Sequence, residues 1–322
     1  MKQQKQVQVQ EQEKVFVKYP SFNFFILVKK TFFELCTVKK FFFSLGILLF
    51  LPLIFLIAPM AINLGSQSIP IVISMIQGSL IFPTFIWTNG AAFVTLIAIF
   101  GSPLISKQVN SGSMLLLISK PIRRENIYIS KLLGLILYNF VLSSLALFMI
   151  VWIAVWRYIG NLSYFINLLP FLSSLIFYSL VVNILFSTIS MTLSSIINDS
   201  RIVLVLLIVI MLYCFVIFPF VNLYYTSGFR KPLTYPFDLG YQLGNLNLGL
   251  IELFGHQMNI GSWIGEFYRF TSLIQLIVTS EETIYYRTDY ITPEISLLIW
   301  FGIILLVFLL GIIRIRKKEI HA

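Results

Sequence analysis

FFFSLGILLFLPLIFLIAPMAINLGSQSIPIVISMIQGSLIFPTFIWTNGAAFVTLIAIFGSPLIS, residues 41–106, carries no charged side chain in 66 positions. A bilayer-spanning helix needs roughly 20 mostly apolar residues, so this window has room for two or three. Phe41–Ala61 reads as one span, bent near Pro52 or Pro59. Gly65–Ile69 interrupts the pattern, Ile71–Leu80 is too short to cross alone, and a second span runs from about Gly78 to Ile105. Working outward, further charge-free windows follow at Leu132–Trp156, Tyr158–Asn198, Ile202–Phe229 and Ile295–Ile313. They place spans at about 129–156, 168–197, 202–221 and 295–313, making six in all. Of the 322 residues 58% are hydrophobic and only 11% charged, against about a quarter charged in a soluble domain. A soluble enzyme, a disordered chain and a disulfide-built secreted protein are excluded. The strands of a membrane β-barrel alternate apolar and polar residues and do not run uncharged for dozens of positions. The expected fold is therefore an all-α polytopic membrane protein.

Lysine and arginine in short flanking loops are retained on the cytoplasmic side. Eighteen of the 23 cations fall before span one, between spans two and three, between four and five, or after six, with six acids among them. The opposite face holds five cations and seven acids. Both termini are thus expected in the cytoplasm, in a cell membrane (plasma or inner), and the net charge of +10 is topological. Cations at membrane boundaries, with no basic and aromatic stripe on a soluble module, argue against nucleic-acid binding.

Residues 1–21 form a polar, Gln-rich tail, with no apolar core ahead of a cleavage site. Residues 22–40 have helical periodicity, with Asn23, Lys30, Glu34 and Thr37 on one face and Phe24, Val28, Phe32 and Leu35 on the other. Such a helix lies in the membrane interface, its aromatic face in lipid and its lysines among headgroups. The extracytoplasmic segment 222–294 opens turn-rich, with Gly228, Pro232, Pro236, Gly240, Gly244 and Gly249. Within it Trp263–Thr279 has the spacing of an amphipathic helix, so a cap on the outer leaflet is expected. A basic tail, 314–322, ends the chain. Cys36 and Cys214 are too far apart in this topology to pair, and neither they nor His256 and His321 suggest a metal site.

The loop 106–128 is unusual for a cytoplasmic connection, because five large apolar residues, Met114, Leu115, Leu116, Leu117 and Ile118, stand between Gly112 and Pro121. Apolar side chains there need a cover, either membrane interface or a partner protein. Pro121 can open a new helix, where its missing N–H costs nothing. Gly112-Ser113, the Leu run, Ser119, Pro121-Ile122-Arg123-Arg124, Ile127 and Ser130-Lys131 follow one another in order. In this the chain resembles the type-2 membrane subunits of ATP-binding-cassette (ABC) exporters. Their loop carries acids before Gly-Thr or Gly-Ser, then a Leu-rich stretch, Ser, Pro-Ile-Ser-Arg, and Ile with Gly-Lys. Gln108 and Asn110 stand where acids are usual, and Arg123 replaces the usual Ser. The resemblance implies a permease subunit that exports an amphipathic or hydrophobic substrate and couples through this loop to a separate ATPase. Met114–Ile118 would be the docking face and Pro121 the break, with Arg124 and Lys131 as anchoring charges at the ATPase or headgroup surface. ATP and Mg would sit on that ATPase, expected in two copies, since this chain has no Gly-rich loop leading to Gly-Lys-Ser/Thr. A second copy or a paralogue would complete the membrane part.

The spans offer no ionisable residues of the kind that mark ion pathways, which disfavours a secondary transporter. They do offer small polar residues. Ser179, Asn183, Ser187, Ser190 and Ser194 recur on one face of span four, Thr84, Thr88 and Thr95 in span two, and Asn139 and Ser143 in span three. Two expectations stand open: close helix packing, which small and hydroxyl residues favour in lipid, or the lining of a weakly polar path. No catalytic, cofactor-binding or metal-binding set appears. A non-transporting membrane scaffold remains the alternative from another class.

Overall fold

A computed structural model describes residues 24–57, 69–112, 123–161, 164–217, 239–254, 274–278, 283–287 and 291–317. Six helical stretches are long and apolar enough to cross a bilayer, as the charge-free windows predict: Val38–Ile57, Ile71–Asn110, Arg124–Tyr158, Phe165–Ile196, Ser200–Ile217 and Pro293–Lys317.

The first helix, α1 (Phe24–Leu35), does not simply float on the membrane. Its buried face, Leu27, Val28, Thr31 and Leu35, packs on the third span. Gly134 permits the approach, since a Cβ there would stand 2.7 Å from the Thr31 Cβ. Val28 and Leu35, expected against lipid, are therefore covered by protein, and Phe25, Ile26 and Phe33 are the exposed apolar side chains. After a break at Cys36 and Thr37, α2 (Val38–Ile57) forms span one with Pro52 inside it.

Span two is longer than its charge-free core suggests. It comprises α3 (Ile69–Pro83), a π-helical segment Thr84–Ala91, α4 (Ala92–Gly101) and α5 (Pro103–Asn110). Residues 69–77, expected to precede the span, are helical and continuous with it, because Pro70 falls in the first turn where a missing donor is harmless. Forty residues at 1.5 Å each would reach about 60 Å if straight, twice the hydrocarbon thickness. The path is broken at Gly90 (φ −110°, ψ −114°). A Cβ on Gly90 would lie 2.6 Å from the Phe85 carbonyl and 2.7 Å from the Phe215 ring.

Spans three and four, α6 (Arg124–Tyr158) and α7 (Phe165–Ile196), form the central pair. Span five is α8 (Ser200–Leu212), continued by a second π segment, Tyr213–Ile217, which meets the first one through Phe85 and Phe215 at 5.9 Å between ring centroids. Asp199 caps α8 by accepting from the Arg201 amide at 2.8 Å.

Between spans five and six the expectation of turns is corrected from residue 239 on, while Gly228, Pro232 and Pro236 lie outside the described residues. Leu239–Leu253 is a helix, α9, nearly all of it buried between α7 and α10 (Pro293–Lys317). Its glycines are helical rather than turning, and Gly249 serves close packing: a Cβ there would lie 2.3 Å from the Pro293 Cβ. Further on, β1 (Ile274–Val278) pairs antiparallel with β2 (Thr283–Arg287), Ile274 opposite Arg287 and Val278 opposite Thr283. Strand therefore replaces the end of the amphipathic helix expected at Trp263–Thr279; residues 263–273 lie outside the described residues, as do His256, His321 and the tail 1–21.

Candidate functional site

The loop between spans two and three is bounded by two built shoulders. On the near side α5 ends at Gly112, whose φ of +67° suits a glycine at a helix stop, with its N–H donating to the Val109 carbonyl at 3.2 Å. On the far side α6 opens at Arg124. Met114, Leu115, Leu116, Leu117, Ile118, Ser119 and Pro121 lie outside the described residues.

Lys131 is a correction. Expected as an exposed anchor, it is only 6% exposed. Its ammonium donates to the Leu104 carbonyl at 2.5 Å and to the Gln108 side-chain oxygen. The reason is position: Lys131 lies two turns into α6, on the face that meets α5, and its long stem crosses to that helix. Gln108, which stands where an acid is usual, thereby works inside the chain as an acceptor. Asn110 also bonds inside the chain, as a donor, its Nδ2 donating to the Asn198 carbonyl at 2.9 Å. Arg316 pairs with Glu125 at 2.7 Å, joining the end of span six to the start of span three. Sequence reasoning missed this pair, because nothing in the spacing of residues 191 apart predicts a contact. Together these bonds gather the loop between spans two and three, the turn between four and five, and the end of span six at one end of the bundle. These are segments that the count of cations assigns to one side.

The hydroxyl and amide residues proposed as a path lining are, with the exception of partly buried Thr95, buried in helix contacts. Thr84 and Thr95 donate within their own helix, to the carbonyls of Leu80 at 2.6 Å and Ala91 at 2.7 Å. Thr88 donates to the Leu48 carbonyl at 3.1 Å, an acceptor left free because Pro52 has no N–H to offer it. Beside it Trp87 donates to the Ile47 carbonyl at 2.7 Å. Ser179 donates to Ser143 at 2.7 Å, tying span four to span three. Asn183 donates to the Ile136 carbonyl at 2.8 Å and accepts from Ser187 at 2.9 Å. Ser190 touches Gly101 so closely that a Cβ there would be 2.3 Å from its Oγ. Asn139 is fully buried and has no hydrogen-bond partner among the described residues. Within one chain these groups are held in helix contacts, as the packing expectation has it: small and hydroxyl side chains let helices touch.

Ser194 does the most specific work. Pro103 opens α5 without an N–H, and the first amides of a helix lack partners within it. The Ser194 hydroxyl, from span four, accepts from the Ser106 amide at 3.0 Å and the Ile105 amide at 3.3 Å, and donates to the Ser102 carbonyl at 2.8 Å. It is a helix cap supplied by a different helix. A second tie escaped the sequence reading: Tyr128 and Thr192 share a hydrogen bond of 3.0 Å, and Thr192 also donates to the Val307 carbonyl at 3.0 Å. Gly311, one of two glycines in span six, makes room for it and was the available signal.

The arrangement offers mechanical connection rather than chemistry; among the described residues no group of three or more metal-ligating side chains occurs. A family model described as ABC-2 family transporter protein matches residues 1–320. Comparison with curated proteins finds no match.

Proposed function

The chain belongs to the ABC-2 transporter family, and from that premise we propose that it is the permease half of an ATP-driven exporter, worked by a separate ATPase through the loop between spans two and three. Membership makes it a multi-pass membrane component of an ABC transporter, not itself the catalyst. The finer reading is carried by one observation: the helix leading into that loop is locked on three sides. Ser194 caps α5 from span four, Asn110 ties it to the turn before span five, and Lys131 bonds it to span three. A push delivered at the loop would therefore move spans two, three and four together instead of being absorbed by a soft hinge.

ATP and Mg would be held by the partner ATPase, in two copies, with a second permease chain, identical or paralogous, completing the path. Met114–Ile118 would face the ATPase, with Arg124 at the edge of the contact, in the plasma or inner membrane with both termini cytoplasmic. An amphipathic or hydrophobic substrate suits spans whose buried polar groups, Lys131 near the start of span three apart, are mainly hydroxyls and amides.

The test is charge reversal, Arg124→Glu, in vesicles reconstituted with the ATPase. Membrane insertion is expected to persist while stimulation of ATP hydrolysis by the permease, and transport, are lost. Unchanged transport would overturn the coupling role. Failure of any ATPase to bind the wild-type chain would favour the non-transporting scaffold.

A further inference from the structure

Between the elbow joining α1 to α2 and the bend joining α4 to α5 lies a cleft of about 560 Å³. Its walls are apolar, with Leu35, Phe43, Leu96, Phe100 and Leu104 among them. Phe43 (71% exposed) and Ile99 (45%) stand at its border, where the spans face lipid. Its polar rim differs from its walls. Lys40 and Lys107 are exposed, and neither is in an ion pair among the described residues. The single carboxylate there, Glu34, is held by Lys30 at 3.7 Å. Behind the wall stands Lys131, a buried amine whose bonds go to oxygens of Leu104 and Gln108, two residues of the wall itself.

We propose that this cleft binds one anionic phospholipid of the leaflet on the lysine-rich side, its phosphate between Lys40 and Lys107 and one acyl chain along Phe43, Ile99, Leu96 and Phe100. The volume falls within the range of small-molecule sites. Two free cations above an apolar floor match a molecule with an anionic head and a hydrocarbon tail. A soluble anion would leave the floor uncovered, and a peptide would set main-chain polar groups against side chains that cannot bond them. The site lies between the end of span two and α1, so an occupant would bridge the two. The inference needs only the six-span architecture and stands apart from coupling to an ATPase.

The test is native mass spectrometry of the full-length chain released from micelles holding equal amounts of phosphatidylglycerol and phosphatidylcholine. One phosphatidylglycerol is expected to be retained per chain, in preference to phosphatidylcholine. Lys40→Gln with Lys107→Gln should lower that retention roughly tenfold, each lysine near a membrane surface contributing on a scale that makes this a low figure. Lys40→Arg with Lys107→Arg should restore it, and Lys39→Gln with Lys317→Gln, outside the cleft, should leave it unchanged. Equal retention of the two lipids, undiminished binding by the double glutamine variant, or an equal loss in the Lys39 and Lys317 control would overturn the proposal. So would displacement by glycerol 3-phosphate, which would make the ligand a soluble anion.

Discussion

Replacing Ser194 by alanine removes one oxygen from the chain and leaves two main-chain donors stranded. The Ser106 and Ile105 amides, 3.0 and 3.3 Å from the Ser194 oxygen, belong to residues buried at 0% and 1% exposure. Water cannot readily replace the hydroxyl there, since the space vacated is a single atom. The Ser102 carbonyl suffers less, because it keeps the Ser106 hydroxyl at 2.6 Å. Two scales bear on the size. A side-chain hydrogen bond between membrane helices is worth on average about 0.6 kcal/mol, because the separated helices find other partners. A buried donor left with none costs about 1–3 kcal/mol. The Ile105 amide lies in the first turn of α5, where the helix supplies no acceptor of its own, so the second scale governs that contact, and the Ser106 amide, with the Ser102 carbonyl one turn back, adds less. The expected loss is about 2 kcal/mol, the upper part of what a helix cap provides. Denaturant-driven unfolding of the full chain in mixed micelles, followed by circular dichroism, measures it. Ser174→Ala is the control, since that buried hydroxyl bonds only the Phe171 carbonyl one turn back at 2.7 Å, and a change under about 0.5 kcal/mol is expected. A Ser194→Ala loss no larger than that of Ser174→Ala would refute the cap.

Three further outcomes use the same measurement or a close relative. Gly311→Ala sets a methyl 2.4 Å from the Tyr128 oxygen and 2.8 Å from the Thr192 oxygen, and should destabilise by about 1–3 kcal/mol. The loss should be smaller in a Tyr128→Phe background, where the nearest atom is gone; an equal loss in both would contradict the packing described. Asn89, fully buried in the first π segment, has no hydrogen-bond partner for either end of its amide among the described residues. Asn89→Leu should therefore raise stability by about 1–3 kcal/mol, and a lowered Tm would show that the amide is satisfied in the membrane. Asn245 donates to the Ile291 carbonyl at 2.8 Å and to Ser296 at 2.9 Å, holding α9 on the start of α10. Asn245→Leu should speed hydrogen exchange across residues 239–253, while unchanged exchange would mean that glycine packing alone seats the helix.

The spans were legible because lipid imposes one strong condition, continuous apolar length with internally bonded backbone, and a sequence displays that condition directly. Where a residue can satisfy two conditions, the letters alone could not choose. Glycines at 240, 244 and 249 can turn a chain or bring helices together, and only the presence of α7 and α10 on either side made the second outcome. Lys131 at a membrane boundary can reach solvent or a carbonyl, and the kinked approach of α5 supplied the carbonyl. Gln108 and Asn110 stand where acids are usual, and each has a bond within this chain.

By itself the sequence determined six membrane-spanning helices, through runs of uncharged residues that have nowhere else to go, and it marked one loop as the exceptional connection. The tertiary structure decided what the polar residues of those helices do. Hydrogen bonds are directional and short, so whether Ser194, Thr88 or Asn183 faces water or a neighbouring backbone depends on where the proline bends of spans one and two and the close approach of span three place a free carbonyl or amide. Periodicity locates such a side chain on a face; only the packed neighbour gives that face an occupant.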